Sequence, residues 1–257
     1  MERNAEQAII QVVDSLHKNF GENLTIEDMA RVAKFSRFHF SRLFQQATGV
    51  SPARFLSALR LYEAKRLLVS TSLSVTEISH RVGYTSVGTF STRFTSSVGA
   101  SPTTYRQRGG FSPLSCYSDV RPARSAGGST IRGRIRAQHP EDLGLVFAGV
   151  FPGRIPEGRP LRCTVIPRPG PYVLEDVPQG NWYLLAHSVS ADRDEAIRAP
   201  LGEYAGISIG AAGPFTVRPG RSTMLIDLSL RPKRALDPPV LLALLDIREW
   251  AFHANVG

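Results

Sequence analysis

Over the first 108 residues the apolar positions recur three and four apart, as in Ile26/Met29/Ala33, Phe40/Phe44 and Val75/Ile78/Val82. That period predicts short amphipathic helices, interrupted only by Pro52 and Pro102. From 109 the chain turns rich in Gly, Pro and Ser (Gly109-Gly-Phe-Ser-Pro, Arg121-Pro-Ala-Arg, Gly127-Gly-Ser), the composition of a linker. Beyond about Thr130 the pattern becomes short alternating runs broken by Pro and Gly. Strands are expected over 131–136, 145–151, 161–166, 172–177, 182–189, 205–209, 215–217 and 223–230, with Met224, Ile226, Leu228 and Leu230 facing one way. A last apolar stretch, 238–254, reads as a helix with one stripe through Val240, Leu244 and Ile247 and another through Leu241, Leu245 and Phe252. The expected fold is multidomain α and β. An all-α domain (1–108) precedes a linker (109–129) and an all-β sandwich with a C-terminal helix (130–257).

The helical part repeats itself. The run from Leu24 to Ser36 aligns with Leu73 to Thr85 at an offset of 49, and after one inserted residue the match continues as Phe40/Phe90, Phe44/Phe94, Gly49/Gly99, Pro52/Pro102 and Phe55/Tyr105. Each copy has Thr25 or Ser74 to cap a short helix, then a second helix expected to be capped by Ser36 or Ser86. Gly49 or Gly99 stops that helix, and Ser-Pro opens the next. Two short helices joined by a tight turn make a helix-turn-helix, and a duplicated one with basic residues on its second helix points to DNA.

At these residues the sequence resembles the AraC/XylS family of bacterial transcription regulators. The first repeat supplies Leu24, Ala30, Ser36, Phe40-Ser-Arg-Leu-Phe, Gly49 and Ser51-Pro52. Arg60-Leu61, Ala64-Lys65 and Leu67-Leu68 match the connecting helix. The second repeat supplies Ile78, Gly83-Tyr84, Phe90, Phe94, Gly99, Ser101-Pro102 and Tyr105-Arg106. The resemblance implies a bipartite DNA-binding domain whose two recognition helices enter successive major grooves of double-stranded DNA. A helix over 51–70 would be ~30 Å long, close to the ~34 Å between such grooves.

By the same resemblance the base-contacting positions of the first repeat are Phe38, Ser41 and Arg42, beside Ser36, Arg37 and His39. Arg42 can give two parallel hydrogen bonds to a guanine edge, and Phe38 can touch a thymine methyl. Ser41 can serve either base type, while Arg37, Arg54 and Arg93 suit phosphates. After Ser86 the second repeat departs from the family pattern: polar residues at the start of the helix and an Arg two residues after the Phe are usual, but those positions are Val87, Gly88, Thr89 and Thr92, and Arg93 comes one place late. Its base reading is therefore expected to be weak or shape-based.

The family usually carries its DNA-binding domain last; here it comes first. The run Gly170-Pro-Tyr-Val-Leu-Glu-Asp-Val-Pro-Gln-Gly-Asn-Trp is similar to the prealbumin-like, carboxypeptidase-regulatory-like β-sandwich, in which a strand ends at Val-Pro-x-Gly. Arg132, Arg134 and Arg136 share one strand face. They could meet DNA or an acidic partner, but shielding of a sheet edge is the preferred reading. His187, near Trp182 and Tyr204, is read as a core histidine. Gly206-Ile-Ser-Ile-Gly has the form of a serine-hydrolase elbow, yet a strand pattern and Pro214 follow where a helix is needed. No enzyme is expected.

Charge sharpens this picture. The chain has 31 Lys+Arg against 22 Asp+Glu, a formal +9, of which the first 109 residues hold +6. A polyanion partner therefore belongs with the helical part. Cys116 and Cys163 stand far apart with no Cys/His cluster, so neither a disulfide scaffold nor a metal or cofactor site is expected. The start, Met1-Glu-Arg-Asn-Ala-Glu, lacks a signal-like apolar core, and the run Leu143–Phe151 is too short for a bilayer. The expectation is a cytoplasmic regulator, with an RNA polymerase contact, a small-molecule effector and a homodimer through the tail helix as further expected partners. The competing reading is a DNA-bound architectural or adaptor protein whose sandwich recruits a protein without sensing a ligand.

Overall fold

The computed structural model describes residues 3–110, 128–190, 207–220 and 222–242. The chain forms two compact domains. One contains the N-terminal part to Gly109 together with Arg234–Leu241; the other contains Gly110–Lys233 and resumes at Leu242.

The helical domain has seven helices: α1 (Arg3–Asn19), α2 (Ile26–Val32), α3 (Arg37–Thr48), α4 (Pro52–Ser70), α5 (Val75–Arg81), α6 (Val87–Val98) and α7 (Pro102–Gln107). Their ends follow from the residues that bound them. Thr25 and Ser74 each form a reciprocal capping box, with Asp28 and Glu77 respectively. These backbone and hydroxyl hydrogen bonds to the carboxylates hold both acids below their usual pKa. Gly49 and Gly99 end α3 and α6 in the left-handed conformation, at φ 80° and 92°.

The repeat in the sequence is a repeat in the core. Phe40, Phe44 and Phe55 contact one another edge-to-face at centroid distances of 5.5 Å, and Phe90, Phe94 and Tyr105 form the matching chain at 5.6 Å. Each such contact is worth ~0.5–1.5 kcal/mol beyond the area it buries. The 19-residue α4 spans about 28 Å. It buries Phe55, Leu56, Leu59, Leu61, Ala64, Leu67 and Leu68 around most of its circumference, because it packs on α3 of the first repeat and on α5 and α7 of the second.

The β domain has β1 (Ser129–Ala137), β2 (Leu143–Phe151), β3 (Arg162–Ile166), β4 (Pro171–Val177), β5 (Gly180–Ser190), β6 (Ser208–Val217), β7 (Thr223–Leu225) and β8 (Leu228–Pro232). They run in the order β3-β2-β5-β6-β8-β1-β4, with β7 also on β1, and the end strands β3 and β4 lie close together. The result is a nearly closed sheet around one core that includes Ile131, Ile135, Val146, Val150, Leu174, Leu184, Leu228 and Leu230.

Several expectations change here. The strands expected at 205–209 and 215–217 are one strand in the described residues, β6. Gly213 and Pro214 oppose the single residue Tyr183 between the pairs Trp182↔Phe215 and Leu184↔Ala212, and that bulge absorbs the proline. The strand expected over 223–230 divides at Ile226-Asp227, yet Met224, Ile226, Leu228 and Leu230 still face the core. Within the run 170–182 the chain passes from β4 into β5. β4 stops at Val177, Gly180 takes φ 143° against the Trp182 ring, and Trp182 Nε1 donates to the Pro178 carbonyl at 2.8 Å. Residues 238–242, expected to begin the tail helix, are not helical, and Leu241 is fully buried. The Lys65 ammonium donates to the Leu241 carbonyl at 3.0 Å within the helical domain. Leu245 and Phe252 lie outside the described residues.

Candidate nucleic-acid interface

Both second helices show one buried and one open face. On α3, Phe40, Phe44 and Thr48 are buried, whereas Arg37, Phe38, His39 and Arg42 are exposed and Ser41 is partly so. On α6, Phe90, Phe94, Ser97 and Val98 are buried, whereas Gly88, Thr89, Thr92 and Arg93 are exposed and Val87 is half-buried. The candidate contact residues of each repeat therefore share its open face.

The chemistry of the two faces differs. Phe38 is 86% exposed, far beyond what a core aromatic tolerates. Arg42 and Arg93 are exposed and have no ion pair among the described residues. Arg37 instead pairs with Glu27 of α2 at 2.9 Å, so part of its charge is already answered. Both side chains of the pair are more than half exposed, and such a pair contributes only ~0–1 kcal/mol. Ser41 Oγ donates to the Arg37 carbonyl at 2.9 Å, which leaves its lone pairs to accept from a base. Ser86 caps α6 by accepting from the Thr89 amide, as expected, whereas Ser36, also expected to cap its helix, makes no side-chain cap bond at α3. Arg54, on the first turn of α4, is exposed.

Two arginines away from these open faces fix the loops of the repeats. Arg60 on α4 donates from Nε to the Phe20 carbonyl at 2.8 Å and from Nη2 to the Glu22 carbonyl at 2.7 Å, fixing the loop before α2. Arg106 on α7 does the same for the second repeat, through the carbonyls of Leu68 and Leu73 before α5. Each arginine ties the helix after the second helix of its repeat to the segment before the first helix of that repeat. The sequence marks both positions only as family residues; the clamp is a finding of the structure.

The two repeats also meet directly. A Cβ at Gly21 would stand 2.5 Å from the Arg81 carbonyl, and one at Gly83 would meet the Arg60 guanidinium and the Gly21 carbonyl, both at 2.9 Å. Two backbones and one guanidinium thus close on each other without room for a methyl group. In the first repeat the position matching Gly83 is Lys34, which adopts the same left-handed turn conformation at φ 57°.

Among the described residues the other sequence candidates do not come together as a reaction centre. Ser208 opens β6 and a strand follows it, so the elbow geometry is missing, and His253 lies outside the described residues. His187 is buried and stacks on Phe147 at 4.9 Å, as a packed core histidine. Burial raises the free Cys163 thiol to about 11; Cys116 and Tyr204 lie outside the described residues. No described helix is long and apolar enough to cross a membrane.

Residues 29–108 match the family model described as a helix-turn-helix domain. Over 98 residues the chain is 36% identical to the lactose operon transcription activator of Staphylococcus xylosus, covering 38% of this chain and 35% of that protein. It is 37% identical over 95 residues to the raffinose operon transcriptional regulatory protein of Pediococcus pentosaceus, covering 37% and 34%. It is also similar to the crystal structure of the AdpA DNA-binding domain in complex with a target DNA, at 30% identity, 45% of this chain, 96% of that chain and a TM-score of 0.38. The chain spans roughly a third of the length of these two curated relatives. The helical domain contains a helix-turn-helix domain over residues 29–108.

Proposed function

We propose that this protein is a DNA-binding transcription regulator of the AraC/XylS type, in which the first helix-turn-helix dominates base reading and the β domain serves as effector or assembly domain. The observation that carries the reading is the duplicated helix with an open face, bearing Phe38, Ser41 and Arg42, which has no ion pair among the described residues, in one copy and Thr89, Thr92 and Arg93 in the other. In this reading residues 1–108 bind DNA, 109–129 link, and 130–257 sense or assemble. The names of the relatives, activators and regulators of sugar operons, support transcription control. RNA polymerase, a small effector molecule and a second copy of the chain are the further partners in this scheme.

Selection from a random duplex pool, followed by titration of the enriched duplex at increasing salt, tests it. The affinity is expected to fall by about 0.9 log unit per log unit of salt for each phosphate contacted, with Arg54 and Arg93 among the contacts. Failure to enrich any sequence, or binding indifferent to salt, contradicts the proposal. The adaptor reading gains support from a feature of the β domain described next.

A further inference from the structure

Among the described residues four large apolar side chains are exposed: Val32 and Phe38 in the helical domain, Val173 and Leu225 in the β domain. The last two are not scattered. Both are register partners of the same residue, Arg132: Val173 across the β1/β4 pairing and Leu225 across the β1/β7 pairing. Leu225, Arg132 and Val173 therefore form a row over three adjacent strands, about 10 Å wide. Arg134 projects from the same face two residues along β1, ~7 Å away, with Pro171 opposite it.

The charge on this face is open as well. Of the three arginines only Arg136 is answered, by Asp227 at 2.9 Å; Arg132 and Arg134 are exposed and have no ion pair among the described residues. The reading of this strand as a shielded edge does not hold. β1 is paired on both sides, with β4 on one and with β7 and β8 on the other, so it has no free edge to protect. Glu175, exposed two residues beyond Val173, gives the face a negative end opposite Arg134.

We propose that the outward face of β7, β1 and β4 docks an acidic, amphipathic protein segment, its carboxylates on Arg132 and Arg134 and its apolar side chains on Leu225 and Val173. The mixture of side chains selects this occupant. DNA phosphates would use the arginines, but the backbone offers nothing to cover Val173, 50% exposed, and Leu225, 79% exposed. A second copy of the chain, itself at +9, would bring positive charge to a positive face. The proposal gives content to the adaptor role and stands apart from DNA binding by the helical domain.

The test uses the full chain and two labelled helical peptides of equal negative charge, one with a leucine face and one with serine in place of each leucine, with duplex DNA measured in parallel. The leucine peptide is expected to bind the wild type. Arg132→Glu/Arg134→Glu should weaken it by about tenfold or more, as expected for reversed charges at an interface. Leu225→Ser, on a side chain too exposed to matter for folding, should weaken it severalfold, while DNA affinity stays unchanged in both variants. A wild type that ignores the leucine peptide, equal binding of both peptides, or indifference to Leu225→Ser overturns the proposal. So does a loss of DNA affinity in the arginine variant, which would make the face a DNA contact and leave the regulator reading intact.

Discussion

Lys34 and Gly83 do the same work at a different cost. Each occupies the turn of a helix-turn-helix in the left-handed region, at φ 57° and 85°, where an L residue other than glycine loses ~1–2 kcal/mol. Lys34→Gly should therefore stabilise the helical domain by about 0.5–1 kcal/mol, part of the relief being offset by the freer unfolded chain. Gly83→Ala should destabilise it by more, because its new methyl would also meet the Arg60 guanidinium. Thermal unfolding of both variants checks this; a Lys34→Gly protein that melts lower contradicts it. The lysine's backbone conformation cannot be read from its side chain, and it becomes legible only when the repeat is aligned so that Gly83 stands opposite. Phe38 shows the reverse case, visible as a candidate from its motif but not as exposed until the helix is seen. If it reads a thymine methyl, replacing that thymine by uracil should cost the wild type ~0.8 kcal/mol, the worth of one buried methyl group. Phe38→Ala should be indifferent to the change, and an equal penalty in both proteins would remove Phe38 from base reading.

Among the elements, those defined by local chemistry were legible. The caps at Thr25, Ser74 and Ser101 and the stops at Gly49 and Gly99 specify helices from a few neighbouring residues, and the structure bears them out. What failed depended on distant partners. The basic strand β1 looks like an edge until β7 and β8 are seen on its second side. The expected helix from 238 begins as a non-helical segment whose Leu241 is buried beside Lys65, a contact between residues 176 apart in sequence. The arginine clamps belong to the same class, since Arg60 reaches carbonyls 38 and 40 residues back. Loss of these charge-assisted bonds in Arg60→Ala should cost about 2 kcal/mol or more of helical-domain stability. Arg60→Lys should not restore it, because a single ammonium lacks the two-pronged geometry that serves both carbonyls. A lysine variant as stable as the wild type would show that charge alone, not the fork, holds the loop.

For the whole molecule, the two repeats are alike in architecture and, in the proposed function, unequal in reading. The shared aromatic core, the paired clamps and the close approach at Gly21 and Gly83 hold them as one body. The open faces differ, with Arg42 on one and Thr92 on the other. The most direct measurement is the affinity of Arg42→Ala and Thr92→Ala, each against the duplex selected by the wild type and against its single-base variants. Arg42→Ala is predicted to lose ~1–3 kcal/mol on that duplex and to relax preference at one base pair. Thr92→Ala is predicted to lose much less and to leave the preference unchanged. Equal losses for the two variants, or an Arg42→Ala protein that keeps its full base preference, would contradict the assignment of reading to the first repeat.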